Sequence, residues 1–278
     1  MRNAGRGRRN GGAPPPVLCY HRVGGAIELG VTRVPESVFA RQMTALARAG
    51  FQALSLQEYS QRLAPDSSAC RVPPSAFLLT FDDGYTELAE HAYPLLADLG
   101  FTATTFVVTD FIGRDNTWDV RYTWRRLRHL AWDAIERWQA RGFTFASHGA
   151  THARLTWLSD AAVTQELGGS RETLKSRLGA DAARAVAYPF GAVDARIVRL
   201  ARAAGYELGF GRVWGGGGEA RDHGHPFQLP RVPAYMWDVW DVPFGLRNDT
   251  LGALGRFVAG VANRCSVATS VLKRLGRA

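Results

Sequence analysis

The sequence predicts an α/β fold, a distorted (β/α) barrel with about seven parallel strands. Short apolar segments alternate with amphipathic helical segments along most of the 278 residues, which is typical of a mainly parallel sheet. A doubly wound open sheet fits the same alternation. However, polar residues follow several different strands, and a barrel gathers such positions at one rim, so the barrel is favoured. The predicted helices fall slightly short of eight, which indicates an incomplete or distorted barrel.

The predicted strands are short and either apolar or β-branched. They cover residues 17–20, 76–81, 102–108, 143–146, 185–188, 207–210 and 227–232. The predicted helices carry apolar side chains at intervals of three or four residues, and they cover residues 36–49, 86–99, 118–139, 163–178, 194–204 and 251–275. Asp194 is a predicted helix N-cap. Glycines end four of these helices, at Gly50, Gly100, Gly179 and Gly205.

The chain divides into three predicted segments. Residues 1–16 form a basic arm, rich in Gly, Arg and Pro, that is predicted to be disordered. Residues 17–245 form the predicted folded domain, and residues 246–278 form a predicted helical extension. The 34 Lys and Arg residues exceed the 25 Asp and Glu residues, which gives a net charge of +9 and a pI near 10.0. Because arginines of the arm supply much of this excess, we interpret it first as composition bias.

Several classes of protein are excluded by composition. A nucleic-acid partner is not predicted, because aromatic–basic interleaving and recognised binding motifs are lacking. Three widely spaced cysteines exclude a disulfide scaffold. The sequence has no run of about 20 apolar residues, so no transmembrane helix is predicted. The basic last helix leaves contact with a membrane surface open as a possibility. The N-terminus lacks the apolar region of a signal peptide, so a cytoplasmic protein is predicted, or an extracellular one if the N-terminus is incomplete.

The motif TFDDGY at residues 80–85 carries the first candidate site residues. Asp82 and Asp83 leave an apolar strand side by side, and two adjacent carboxylates repel each other unless a cation or a proton accompanies them. Gly84 allows a sharp turn beside them. A helix-capping aspartate in an ordinary turn is the alternative interpretation.

The motif SHGATH at residues 147–152 carries two imidazoles. His148 and His152 are four residues apart, which predicts that they share one face of a helical turn and reach one ion. The spacing alone is weak evidence, but an aspartate from another strand end offers a third ligand. Two histidines and one aspartate, with open coordination positions, suit Zn²⁺ or another divalent transition ion in a catalytic site.

Three motifs together resemble those of a known family. TFDDGY, SHGATH and AYPFG (residues 187–191) occur in the order of the first three motifs of the polysaccharide deacetylase family, carbohydrate esterase family 4-like enzymes with a NodB homology domain. The resemblance covers about residues 17–232. CYHRV at residues 19–23 and LPRVP at residues 229–233 are most similar to the branch of poly-N-acetylglucosamine deacetylases. The resemblance implies a NodB-like barrel and hydrolysis of the acetamide of an N-acetylated amino sugar or polysaccharide.

The resemblance also implies roles for individual residues. Asp83, His148 and His152 would bind one divalent metal ion, with Zn²⁺ first and Co²⁺, Ni²⁺ or Fe²⁺ as alternatives. Asp82 would be the general base that takes a proton from the activated water. Many family members use a late histidine as the general acid, and no histidine follows His225 here. The implied acid is therefore His21, as in the branch with an early Tyr-His motif.

Further residues are assigned by the same resemblance. The family pairs its base with an arginine two residues before the proline of the third motif, where this chain has Ala187, so Arg231 is the candidate replacement. The backbone N–H of Phe190 would stabilise the oxyanion. The remaining candidates for oxyanion or substrate contacts are Tyr188, Pro189, Tyr85 and Trp237.

Other functions stay open at this stage. The substrate of a cytoplasmic enzyme would be a lipid-linked sugar, a sugar nucleotide or a glycosylated metabolite. A catalytically inactive carbohydrate-binding relative is a different class, and the full set of motif carboxylates and imidazoles argues against it. The sequence makes no prediction of oligomeric state, acceptor sugar or chain-length preference.

Overall fold

A computed structural model describes residues 14–25, 32–63, 75–118, 126–213 and 225–234 of the chain. The strands are β1 (Val17–Tyr20), β2 (Arg22–Val23), β3 (Arg33–Val34), β4 (Gln52–Leu54), β5 (Ala76–Phe81), β6 (Thr104–Val107), β7 (Thr144–Ser147), β8 (Ala185–Ala187), β9 (Leu208–Val213) and β10 (Leu229–Pro233). The α-helices are α1 (Glu36–Arg48), α2 (Leu56–Leu63), α3 (Tyr93–Asp98), α4 (Trp132–Gln139), α5 (Asp160–Leu178) and α6 (Ala195–Ala203).

Seven parallel strands close into a barrel. Strand β1 lies between β5 and β10, and β6, β7, β8 and β9 complete the ring in sequence order. Strand β4 also pairs in parallel with the first half of β5, while β2 and β3 form a separate two-stranded sheet. The prediction of a distorted (β/α) barrel with about seven parallel strands is confirmed.

The register of β1 brings distant segments together. Leu18 is paired with Leu79 of β5 on one side and with Val232 of β10 on the other. Tyr20 is paired with Phe81, so the residues that follow these two strands are neighbours. Parallel strands end at the same rim, and this rim therefore collects the ends of β1, β5 and β10.

The barrel interior is a packed hydrophobic core. One buried cluster takes residues from all seven strands of the ring, including Leu78, Phe106, Ala146, Phe210 and Leu229. Because successive side chains of a strand alternate between its two faces, the polar residues at positions 82, 148 and 231 continue the inward-facing sets of β5, β7 and β10. The site residues are therefore the last inward layer of the barrel. A second layer of apolar side chains packs between the strands and the surrounding helices.

Helix boundaries follow the local signals. Ser159 caps α5 by accepting a hydrogen bond from Ala162 N, and Gly179, with φ of 90°, follows its last residue. The Asp194 carboxylate accepts a hydrogen bond from Ile197 N at 2.8 Å, as an N-cap does. The predicted C-terminal end of α5 and the predicted N-cap of α6 are confirmed, whereas α5 begins three residues before its predicted start.

Some elements differ from the prediction. The predicted helix at 86–99 begins as a π-helical turn, Leu88–Ala92, and continues as α3. Within the predicted helix at 118–139, the described residues are helical only in α4. Strand β4 and helix α2 were not predicted, because their segments are too short for a clear periodicity.

Part of the prediction lies outside the described residues. The division into an arm over 1–16, a domain over 17–245 and an extension over 246–278 stays a prediction, as does the helix at 251–275. In the part of the chain that the structure describes, no helix has both the length and the apolar composition needed to cross a membrane.

Candidate active site

The candidate site lies at the rim where the parallel strands end. Asp82 and Asp83 follow β5, His148 follows β7, His21 follows β1, and Arg231 belongs to β10. Four of these five side chains are buried, and that of His21 is about one quarter exposed. A rim of this kind is where barrels of this class carry their chemistry.

Asp82 and Arg231 form a buried ion pair with two hydrogen bonds. Arg231 Nη1 donates to Asp82 Oδ1 at 2.6 Å, and Nη2 donates to Oδ2 at 2.8 Å. Both residues are 3% exposed, so solvent screens the pair little. Burial alone would raise the pKa of Asp82, but the Arg231 guanidinium outweighs it and holds this pKa well below its usual range. Asp82 is therefore a carboxylate at neutral pH.

Asp83, His148 and His152 meet as a cluster of metal-ligand type. Each residue offers one ligand atom, and these three atoms lie within 4.8 Å of one another. Asp83 Oδ1 is 3.4 Å from His152 Nε2 and 3.7 Å from His148 Nε2. Nitrogen and oxygen ligands that each lie about 2.1 Å from a tetrahedral ion are about 3.4 Å apart. The cluster therefore fits one divalent ion.

The tautomer of His148 also suits a metal ligand. Its Nδ1 lies 2.8 Å from the carbonyl oxygen of Ala187, and a carbonyl oxygen only accepts, so Nδ1 carries the proton. Burial lowers the pKa of His148, although Asp82 opposes this, and the ring is neutral. Its Nε2 therefore presents a lone pair toward the aspartates. Imidazole ligands of metals are commonly oriented by such a second hydrogen bond.

Backbone strain is concentrated at this site. Among the described residues, the non-glycine residues with positive φ are Asp83 (68°), His152 (62°) and Phe190 (60°). Such conformations are disfavoured for residues with a Cβ, and they cluster at functional sites where the surroundings hold them. The prediction that His148 and His152 share a helical turn is wrong. His152 lies in a non-helical loop and has a left-handed backbone. Its ring therefore lies beside Asp83 without any helical spacing from His148.

Glu166 of α5 holds this histidine loop in place. Its carboxylate accepts hydrogen bonds from the backbone N–H groups of Ala150 and Thr151, both at 3.0 Å, and from Thr151 Oγ1 at 2.6 Å. This anchor is not predictable from the sequence pattern. A glutamate in the middle of an amphipathic helix is not distinguishable from a solvated one by its spacing.

Two further side chains lie against Asp82. His21 Nε2 is 4.0 Å from Asp82 Oδ2. The Cys19 thiol is 3.7 Å from the same oxygen, which it contacts as a weak donor. Burial raises the pKa of Cys19, so the thiol stays protonated at neutral pH. Asp82 thus accepts hydrogen bonds from Arg231 and Cys19 and lies beside the His21 ring.

The third motif contributes to the wall of the site. The Phe190 ring contacts the His152 ring, with centroids 4.8 Å apart. Pro189 is buried beside Gly149 of the histidine loop. The Tyr188 side chain, in contrast, packs in the outer hydrophobic layer between the sheet and α5 and α6, so the structure does not bring this ring to the cluster.

Two other predicted contact residues have different positions. Tyr85 is only 2% exposed, and its hydroxyl accepts a hydrogen bond from Asn116 Nδ2 at 2.7 Å. Its ring is part of the site's supporting layer. Trp237 lies outside the described residues.

His129 and Trp118 support the site and were missed. His129 falls within the predicted helix at 118–139, but it lies in an extended segment with its Nδ1 2.8 Å from the backbone oxygen of Asp83. The Trp118 ring stacks on His152 at 4.8 Å. Burial lowers the pKa of His129 to about 4, although the bond to Asp83 opposes this, so the ring is neutral. No local sequence signal distinguishes these residues, because their contacts are long-range.

The family of the chain is shown by its sequence. Residues 70–209 match the family model for polysaccharide deacetylase. This match covers half of the chain and contains both the aspartate pair and the histidine loop. The chain therefore belongs to the polysaccharide deacetylase family.

Two curated proteins are similar to the chain. YxkH of Bacillus subtilis (strain 168) is 28% identical over 194 residues, which cover 70% of this chain and 63% of YxkH. The poly-beta-1,6-N-acetyl-D-glucosamine N-deacetylase of Staphylococcus aureus (strain MRSA252) is 23% identical over 144 residues, which cover 50% of this chain and 49% of that enzyme. The chain thus spans less than two thirds of the length of either relative.

Solved structures share the fold. The deacetylase PplD of Streptococcus pyogenes, solved in complex with acetate, aligns with a TM-score of 0.67 and 23% identity over 81% of this chain and 93% of PplD. IcaB from Ammonifex degensii aligns with a TM-score of 0.65 and 22% identity over 88% of this chain and 96% of IcaB. At these identities the likeness establishes the barrel fold.

The Asp82–Arg231 pair leads to a prediction about stability. Arg231→Met should lower the free energy of unfolding by about 3–5 kcal/mol, because it leaves a buried carboxylate without its cation. Urea denaturation measures this loss. Asp82→Leu combined with Arg231→Met should restore part of it, because the double variant leaves neither charge uncompensated. A double variant whose loss equals the sum of the two single losses would show that the two side chains are not coupled.

Proposed function

We propose that the protein is a metal-dependent N-deacetylase that hydrolyses the acetamide of an N-acetylated amino sugar or of its polymer. One observation carries this proposal: the ligand cluster of Asp83, His148 and His152 lies beside an ionised Asp82 in a chain of the polysaccharide deacetylase family. The name of the Staphylococcus aureus relative, which specifies a β-1,6-linked N-acetylglucosamine polymer, supports an amino-sugar polymer as the substrate class.

The proposed cofactor is one divalent metal ion. Asp83, His148 and His152 would hold it, which leaves coordination positions open for water and substrate. Zn²⁺ is proposed first, with Co²⁺, Ni²⁺ and Fe²⁺ as alternatives. When bound, such an ion acts as a Lewis acid that acidifies a water molecule and polarises a carbonyl group.

Asp82 is the proposed general base. Its Oδ2 lies 3.8 Å from His148 Nε2, so the carboxylate borders the ligand cluster on the side of one metal ligand. The two hydrogen bonds from Arg231 keep this carboxylate ionised and fix its orientation. The same bonds make Asp82 a weak base. A weak base can accept a proton from a water molecule that has been acidified, but not from bulk water. Arg231 is thus a positioning residue.

His21 is the proposed general acid. It lies next to Asp82, and one quarter of its side chain is exposed. This fraction is larger than for the side chains of Asp82, Asp83, His148, His152 and Arg231.

In the proposed reaction the water oxygen attacks the acetamide carbon, and Asp82 takes one proton from that water. The developing oxyanion is stabilised by the backbone N–H of Phe190. Protonated His21 then delivers a proton to the nitrogen as the C–N bond breaks, which yields acetate and the free amine.

Metal content provides the first test of this proposal. Purified protein should contain about one divalent ion per chain, and His148→Ala or His152→Ala should lower that content at least tenfold, because each removes one of three ligands. Elemental analysis after dialysis measures the content. His91→Ala is the matched control, since His91 pairs with Glu36 on α1 outside the cluster. Full metal occupancy in both cluster variants would disprove the site.

Acetate release tests the activity itself. The protein should release acetate from at least one of three substrate classes, namely N-acetylated monosaccharides, chito-oligomers and peptidoglycan fragments, when Zn²⁺ or Co²⁺ is supplied. Asp82→Asn should reduce the rate about 100- to 10,000-fold while metal content is retained, because the amide keeps the shape of the side chain but is not a base. A wild-type rate in this variant would remove Asp82 from the mechanism.

His21 has its own expected phenotype. His21→Ala should lower kcat about 100- to 10,000-fold and leave metal content within a factor of two, because the histidine protonates the leaving group and is not a ligand. Steady-state kinetics and elemental analysis on the same preparation separate the two effects. If neither quantity changes, another group supplies the proton.

A further inference from the structure

We infer that His129 is a positioning residue that fixes the proposed metal ligand Asp83 through its backbone. This inference rests on the metal site proposed above. It concerns a residue that lies outside the three motifs at 80–85, 147–152 and 187–191 and that donates no ligand atom to the cluster.

Asp83 needs an external constraint on its backbone. Its φ of 68° is followed by a φ of 69° at Gly84, so two successive residues of the turn are left-handed. Glycine adopts this conformation freely, but aspartate does so at a cost in free energy. The direction of the Cα–Cβ bond, and with it the position of the carboxylate, depends on this peptide geometry. If the turn relaxed to negative φ, Asp83 Oδ1 would leave its place beside His152 Nε2.

His129 supplies a side-chain constraint on this turn. Its Nδ1 lies 2.8 Å from the backbone oxygen of Asp83, and both residues are buried. Because the carbonyl oxygen is an acceptor only, the ring donates from Nδ1. A buried hydrogen bond to the carbonyl of a strained peptide favours the one orientation in which that bond forms.

The segment that carries His129 is itself held from two sides. On one side, Leu130 N donates to Gly84 O at 2.8 Å and Thr86 N donates to Arg128 O at 2.9 Å, so the segment pairs with the aspartate turn. On the other side, the N–H of His129 donates to Arg114 O at 2.9 Å. The backbone that carries the His129 ring is therefore held in place, which a positioning residue requires.

Ring stacking connects His129 to a second ligand. The His129 ring stacks on Tyr85 at 4.8 Å and packs against Trp118 at 4.7 Å. Trp118 in turn stacks on His152 at 4.8 Å, with an interplanar angle of 28°. One continuous column of rings thus joins the residue that holds Asp83 to the imidazole that faces Asp83. The column keeps these two ligands at the separation that one ion requires.

Three variants test the donor at Nδ1. An asparagine places an amide N–H near the position of Nδ1, a glutamine places it near Nε2, and a leucine removes it. The dissociation constants of Zn²⁺ and Co²⁺ should rise about 10- to 100-fold in His129→Leu and His129→Gln, and stay within about threefold of wild type in His129→Asn. Chelator competition at a temperature well below unfolding measures these constants, and thermal unfolding of the metal-free proteins reports stability separately.

The outcomes separate this inference from the proposed function. Wild-type affinity in both His129→Leu and His129→Gln would overturn the inference while the proposed metal site stands. An equal loss in His129→Asn would overturn it as well, because a donor at Nδ1 would then not be what matters. Wild-type protein that binds neither ion would overturn both. If His129→Leu does not fold, the contrast between the asparagine and glutamine variants decides.

Discussion

The buried pair of Asp82 and Arg231 is the interaction on which the site depends. It joins β5 to β10, two segments 149 residues apart in sequence, across the inward face of the barrel. Neither charge could be buried there alone, because desolvation of an unpaired ion costs several kcal/mol. The pair thus ties the closure of the barrel to the ionisation of the proposed base. The Asp82–Arg231 contact therefore serves both the fold and the proposed chemistry.

The sequence predicted the barrel strands well, and for a physical reason. Residues 76–81 and 17–20 were predicted with the observed bounds, because buried parallel strands are continuous apolar runs that stand out locally. Strand β4 and helix α2 were missed because three and eight residues carry too little periodicity. The π-helical turn before α3 has no local signal, since it differs from an α-helix only in its hydrogen bonding.

The site was predictable only in part. The proposed ligand residues and the Asp82–Arg231 pairing were predicted from motifs and from the resemblance they carry, and the structure brings those side chains together. Their backbone was not predicted: the four-residue spacing of His148 and His152 indicated a helical turn, whereas the structure has a loop with a left-handed His152. His129 and Glu166 act through contacts with segments distant in sequence, and those contacts exist only once the chain has folded.

The pairing of β1 on both sides has a consequence for the order of assembly. Leu18 pairs with Leu79 of β5 on one edge of β1 and with Val232 of β10 on the other edge. Strand β5 is the nearer of these two strands in the sequence, and β10 is the last strand that the structure describes. During synthesis the strands from β1 to β9 emerge before β10, and the ring stays open until β10 arrives. Long-range closure of this kind is slow. Because β10 also brings Arg231, the carboxylate of Asp82 cannot gain this counter-ion before β10 joins β1, so the closure of the barrel and the completion of the proposed catalytic rim are one event.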